Sequence, residues 1–249
     1  MKAATGMSNL SILIPSYKRP QVLATTLNGL VKTLNYHPDY NIGIYLGLNK
    51  ASTIDIATVD SFRPVFKSMD INYDYIPYTE NEGKAKALND LLAMYVKDTD
   101  YTITMDNDIQ LKMPWLYLID IAKKTDFELL GFGSSTFWAH LPAREQCEFF
   151  EVDSYRFYKS QGVAGGMLLF HTSFLKKYPW TNFDGVYGRD DEQMCLKTSK
   201  KYVLQRSEDW MVHDPLGTST ADLYHYHVCK RKFFSKGQYV LTKGWDENV

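Results

Sequence analysis

From Ser11 to Met105 the chain alternates short apolar runs of strand type with longer stretches whose apolar residues recur at helical spacing. SILIP (Ser11–Pro15) is the first run. Arg19-Pro20 then opens a stretch in which Val22, Leu23, Leu27, Leu30, Val31 and Leu34 fall on one helical face. Ile42–Leu48 reads as a second strand, and Ile54–Met69 as a mostly helical return interrupted near Pro64. Ile71–Tyr78 is a third strand. Gly83–Val96 is a helix, with Ala87, Leu88, Leu91, Leu92 and Tyr95 in one stripe. YTITM (Tyr101–Met105) is a fourth strand and ends abruptly in Asp106-Asn107-Asp108. Such alternation predicts an α/β fold, with a Rossmann-like, mostly parallel central sheet and helices on both faces. Ligands of such sheets bind beyond the carboxyl ends of the strands. Pro15-Ser16-Tyr17, Leu48–Ser52, Asn81–Lys84 and Asp106–Asp108 all fall there.

Composition narrows the class further. With 249 residues and 45% hydrophobic content, the chain can bury a core without a disulfide or metal staple. Lys plus Arg number 28 against 29 Asp plus Glu, a net charge of −1. That balance excludes a global electrostatic footprint for nucleic acid or an anionic membrane. Cys147, Cys195 and Cys229 form no CxxC pair, and a reducing, cytoplasmic compartment is expected. MKAATGMSNL is too weakly apolar for a signal peptide, and no window approaches the roughly 18–20 apolar residues of a membrane span. The second half is less regular. Gly133–Lys159 reads as an aromatic, loop-rich region, Gly162–His171 as glycines followed by a strand, Asp190–Lys201 as a helix and Tyr202–Gln205 as a short strand. No linker or repeat divides the chain. One domain over 1–249 is expected, with a nucleotide-binding half (8–110) and an acceptor-binding half with a C-terminal tail (111–249).

Several motifs carry chemistry. Two carboxylates flanking one residue at the end of a buried strand repel unless a cation or donors compensate. A hard divalent ion shared with substrate phosphates is one solution, and a turn or helix cap is the plain alternative. GKAKALN (Gly83–Asn89) starts a helix, where backbone N–H groups attract phosphate and Lys84 adds a point charge. It equally suits a solvated helix start. Gly165-Gly166 permits close backbone approach to a ligand, or marks a bulge. Asp190-Asp191-Glu192 holds more acids than a helix dipole needs. His213, in VHDP, is either structural or a further metal ligand.

Taken in order, SILIPSYKRP, NEGKAKALN, DND, GVAGGMLLF, GRDDEQMCLK and VHDP resemble glycosyltransferase family 2, with its GT-A fold, from about Ser11 to His213. The resemblance implies a nucleotide-diphosphate sugar donor, a divalent cation (Mn2+ or Mg2+) and inversion at the anomeric carbon. By the same resemblance Pro15, Ser16, Tyr17 and Arg19 form the nucleotide-facing first loop. Lys84 lies near the diphosphate, Asp106 contacts ribose or water, and Asp108 and His213 hold the metal. Gly165 and Gly166 lie beside donor sugar and acceptor. Asp190-Asp191 occupies the Glu-Asp position whose second acid is the catalytic base, with Asp190 as a supporting acceptor contact. The chain departs from the pattern at three places. Leu48 and Asn49 stand where an acid commonly reads the base, which leaves Asn49 as the base-side candidate and the base open. Arg189 replaces a common Trp, and Gln193 an acid, both near the acceptor.

The leading expectation is therefore a metal-dependent, inverting glycosyltransferase. A retaining GT-A transferase or a nucleotidyltransferase shares the strand-end acids. A non-catalytic sugar-nucleotide or glycan-binding module would lack the base. The acceptor is a glycan, a lipid-linked molecule, a small molecule or a nucleic acid. For the last, KRKFFSK (Lys230–Lys236), preceded by His225 and His227, offers a basic patch with aromatics. Such a run also suits a solvated helix face.

Overall fold

The computed structural model describes residues 7–34, 39–132, 148–159, 163, 166–181, 190–204 and 211–213. The strands are β1 (Ser8–Tyr17), β2 (Tyr40–Asn49), β3 (Asn72–Pro77), β4 (Tyr101–Met105), β5 (Ile109–Leu111), β6 (Leu129–Phe132), β7 (Phe149–Val152), β8 (Tyr155–Lys159), β9 (Met167–His171), β10 (Lys201–Leu204) and β11 (Met211–His213). The helices are α1 (Pro20–Thr33), α2 (Thr53–Asp60), α3 (Arg63–Ser68), α4 (Lys84–Tyr95), α5 (Tyr117–Ala122), α6 (Thr172–Lys177) and α7 (Asp190–Leu196). The main sheet runs β3-β2-β1-β4-β9-β6-β10-β8-β7, and β11 pairs with β5 in a small second sheet. β3, β2, β1 and β4 are parallel, which is the half that the strand–helix alternation foretells. β9 then joins antiparallel to β4 and β6 and links the two halves.

Side-chain alternation along each strand splits the interior into two cores, one on each face of the sheet. On β1, Leu10, Ile12 and Ile14 pack with Leu23, Leu27 and Leu30 of α1. Leu13, pointing the other way, packs with Leu88, Leu91 and Leu92 of α4. β9 divides likewise, Met167 and Leu169 to the first core, Leu168 and Phe170 to the second. Each fully buried Leu, Ile or Phe contributes roughly 1.5–3 kcal/mol relative to exposure, so both faces of the central strands fix their register. Two buried polar pairs tie the layers together: the Trp115 indole N–H donates to Thr33 Oγ1 at 3.1 Å, and the Thr102 and Thr172 hydroxyls meet at 2.8 Å.

Two segments depart from the sequence reading. Within Gly133–Lys159, the aromatic residues Phe149–Val152 and Tyr155–Lys159 form a hairpin. Its turn is Asp153-Ser154, with φ of 49° and 69°. Two-residue hairpin turns need left-handed φ to follow strand twist, and Gly or Asn is the usual signal. Asp-Ser supplies the conformation without the signal. The helix expected over Asp190–Lys201 ends at Leu196, because Lys201 enters β10 beside Leu129 of β6.

α4 lies close on the sheet because β2 carries Gly47: a Cβ there would stand 2.9 Å from Ala87 Cβ. Neither atom can rotate away. Gly47→Val is expected to cost about 1–3 kcal/mol through overpacking and to lower Tm by roughly 2–12 °C. Calorimetry that finds an unchanged Tm would contradict this close helix–sheet contact.

Candidate active site

The carboxyl end of β4 is where the described motifs meet. Asp106 N–H donates to Gly166 O at 2.8 Å, which fixes the first acid beside the glycine that precedes β9. Lys84, the first residue of α4, follows Gly83, whose φ is 86°. This turn aims Lys84 Nζ at Asp106 Oδ1, 2.7 Å away. Asp108 faces a second cation, with Arg19 Nη1 3.5 Å from its Oδ2; the two side chains are only 9% and 5% exposed. Arg19 caps α1 with φ 63°, ψ 52° and is preceded by Lys18 at φ 50°. Pro20 disfavours the right-handed conformation at the residue before it, and Arg19 takes the left-handed one instead. Asn107 ties the acids to the first loop: its Nδ2 donates to Ser16 Oγ at 3.0 Å and its carbonyl accepts from Thr26 Oγ1 at 2.7 Å. Two helix starts thus deliver one cation each to two strand-end carboxylates.

The loops after β2 and β3 are joined along their backbones. Tyr78 N–H donates to Leu48 O, Ala51 N–H to Tyr78 O, and Lys50 N–H to Glu80 O, all between 2.9 and 3.0 Å. Asn49 is buried, and its side-chain oxygen accepts Glu82 N–H at 2.9 Å. Asn81 Oδ1 accepts Gly83 N–H at 3.2 Å. The Asn49 amide oxygen therefore shapes the turn that carries Lys84. Burial, reinforced by a hydrogen bond to Asp90, pushes the Tyr78 phenol well above its ordinary range. It stays a neutral hydroxyl beside this loop.

Pro15 and Tyr17 sit at the end of β1, paired with Gly47 and Asn49 of β2. Asp191, half-buried, lies in the first turn of α7. Cys195, one turn on, accepts Val163 N–H at 3.2 Å; Val163 leads toward Gly166. His213 pairs across the β5–β11 ladder with Ile109, the residue after Asp108. Only the backbone is described for Asp190 and His213; Gly165, Arg189 and the basic stretch Lys230–Lys236 lie outside the described residues. Thr26 is not a candidate in the sequence, and Asn81 is one only as part of the strand-end segment Asn81–Lys84. Asn81 carried a signal, as an Asx residue two before a glycine turn. Thr26 carried none, since only the docked α1 brings it to Asn107.

The model of glycosyl transferase family 2 matches residues 11–178, more than half of the chain. The chain belongs to glycosyltransferase family 2. Among solved structures, S. aureus TarS 1-349 in complex with UDP is similar at 14% identity and a TM-score of 0.59, over 87% of this chain and 62% of that one. A further S. aureus TarS structure has a TM-score of 0.57 at 14% identity, over 87% of this chain and 38% of that one. A mannosyltransferase, PcManGT from Pyrobaculum calidifontis, in complex with GDP-Man and Mn2+, has a TM-score of 0.58 at 13% identity, over 92% of this chain and 63% of that one. The chain thus spans less than two thirds of each of these proteins, and the likeness extends the GT-A fold to nearly all of it. A search of curated proteins finds no match to the sequence. Among the described residues no helix of this family 2 chain is long and apolar enough to cross a membrane.

Removing one partner of a buried ion pair leaves the other charge desolvated, a loss of about 3–5 kcal/mol. Arg19→Met is expected to destabilise the protein on that scale, and Arg19→Met/Asp108→Asn to recover more than half of the loss. A double mutant as unstable as the single one would show that the guanidinium does not balance Asp108.

Proposed function

We propose that this family 2 protein is a metal-dependent, inverting glycosyltransferase that moves a sugar from a nucleotide-diphosphate donor to an acceptor hydroxyl. The observation that carries the reading is the paired arrangement at β4: Lys84 on Asp106 and Arg19 on Asp108, at the carboxyl ends of parallel strands. Structures similar in fold hold UDP, UDP-GlcNAc or GDP-Man. Residues 8–110 then form the donor half, and residues 111–249 contribute to the acceptor side. The acceptor class stays as the sequence leaves it: a glycan, a lipid-linked molecule, a small molecule or, less favoured, a nucleic acid.

Asp108, with His213 as second ligand, is our candidate holder of a hard divalent ion. Asp108 is a buried carboxylate, and the β5–β11 ladder places His213 across from its neighbour Ile109. Among the described residues no three ligating side chains converge, and donor phosphate oxygens commonly complete such a set. Bound by Asp108 and His213, Mn2+ or Mg2+ would supply positive charge for the departing diphosphate. The remaining steps belong to the chain. The α4 start and Lys84 receive phosphate oxygens. Ser16, held by Asn107, and Tyr17 face the nucleoside from the end of β1. The acceptor oxygen attacks the anomeric carbon, and the bond from that carbon to the diphosphate oxygen breaks with its electron pair on phosphate. The acceptor proton passes to the Asp191 carboxylate.

Asp191→Asn keeps the shape and loses the base. Transfer is expected to fall about 10²–10⁴-fold while donor affinity stays near wild type, since the lost interaction belongs to the transition state. Unchanged transfer would move the base elsewhere, and a product of retained anomeric configuration would overturn the single displacement. For the metal, UDP or GDP with Mn2+ should raise Tm, and Asp108→Ala should remove most of the metal-dependent part. An equal metal-dependent rise in Asp108→Ala would remove that residue as ligand.

A further inference from the structure

Away from the charged pairs, two side-chain amides grip two consecutive residues. Asn89 of α4 donates from Nδ2 to Trp180 O at 2.6 Å and accepts Trp180 N–H on Oδ1 at 3.0 Å. Gln193 of α7 accepts both Thr181 N–H, at 3.1 Å, and the Thr181 hydroxyl, at 2.6 Å, on Oε1, and donates from Nε2 to Thr181 O at 3.1 Å. Each amide thus pairs with both backbone groups of one residue, as a neighbouring strand would. Five polar contacts converge on a two-residue segment. The segment cannot slide, because the Trp180 ring is buried edge-on against Phe170 of β9, with centroids 5.9 Å apart.

The two amides come from elements with different duties. Asn89 lies five residues along α4 from Lys84, the residue on Asp106. Gln193 lies two residues past Asp191, on a helix of only seven residues. So short a helix has little stability of its own and takes its orientation from tertiary contacts. Cys195, on the face of Asp191 and one turn along, makes a further polar contact by accepting Val163 N–H. Gln193 holds a different face. Hydrogen bonds in this setting are directional, and each left unmade inside the fold is costly.

We infer that Asn89 and Gln193 are positioning residues: through Trp180–Thr181 they lock α7 to the donor helix α4 and so fix where Asp191 stands relative to the donor site. The amide at 193 serves here as a donor and acceptor at once. An acid at that position would lose the Nε2–H bond and set a carboxylate against the Thr181 carbonyl. The kinetic part of this inference rests on Asp191 acting as the base; the mechanical part does not.

Hydrogen exchange separates the two. Asn89→Ala, although on α4, should speed exchange of the α7 amides at least tenfold while the protein remains folded, as should Gln193→Met, which keeps length and loses every hydrogen bond. In Gln193→Glu the protection of α7 should return as pH falls and the carboxyl regains a proton to donate; Gln193→Met should show no such recovery. Protection of α7 left at the wild-type level in Asn89→Ala overturns the inference. The kinetic arm uses hydrolysis of UDP-GlcNAc or GDP-mannose, water standing in for the acceptor. All three variants should lower kcat at least tenfold with donor KM within twofold. Loosened α7 with unchanged kcat would reduce the clamp to a structural brace. Full turnover by Asp191→Asn, with α7 still loosened by Asn89→Ala, would instead remove the base reading and leave the clamp standing.

Discussion

Everything in the described site turns on the charge balance at the end of β4. Two carboxylates separated by one residue, one of them almost fully buried, cannot sit there without compensation. The fold supplies it from two helix starts, Lys84 on α4 and Arg19 on α1. Each cation is placed by an unusual backbone, positive φ at Gly83 in one case and at Lys18 and Arg19 in the other. Left-handed backbone at a non-glycine residue is costly and persists where surrounding structure over-determines it. Here Pro20 and the buried Asp108 do so.

The two cores make that arrangement rigid. α1 and α4 pack on opposite faces of the same strands, through Leu23, Leu27 and Leu30 on one side and Leu88, Leu91 and Leu92 on the other. A helix displaced on either face would draw its cation from its acid. Gly47 brings α4 close to the sheet, and Thr26 bonds α1 directly to the Asn107 carbonyl. Packing and electrostatics are therefore coupled at the residues proposed to meet a donor diphosphate.

Much of the parallel half, β1 to β4, was legible in the sequence because its signals are local. Apolar alternation defined β1 to β4, Pro20 and Gly83 marked the starts of α1 and α4, and DND after YTITM marked the strand end. Pairings between distant residues were not legible. Nothing in KRP says that Arg19 will meet Asp108, since that contact depends on how α1 docks. Gln193 was read as an acceptor-side departure from the family; its described partners are the backbone and hydroxyl of Thr181. β7 and β8 were hidden because Asp153-Ser154 makes a tight turn without glycine. The short β5 and β11 were hidden because three-residue strands carry no periodicity.

The strand-end charges bear most directly on one measurement, calorimetric titration of UDP and GDP into the folded protein with Mn2+ present. Saturable one-to-one binding of at least one nucleotide is expected, weakened at least tenfold in Lys84→Met, whose helix start has lost its cation. Binding of equal strength in Lys84→Met, or no binding of either nucleotide to the wild type, would contradict a diphosphate site at the end of β4.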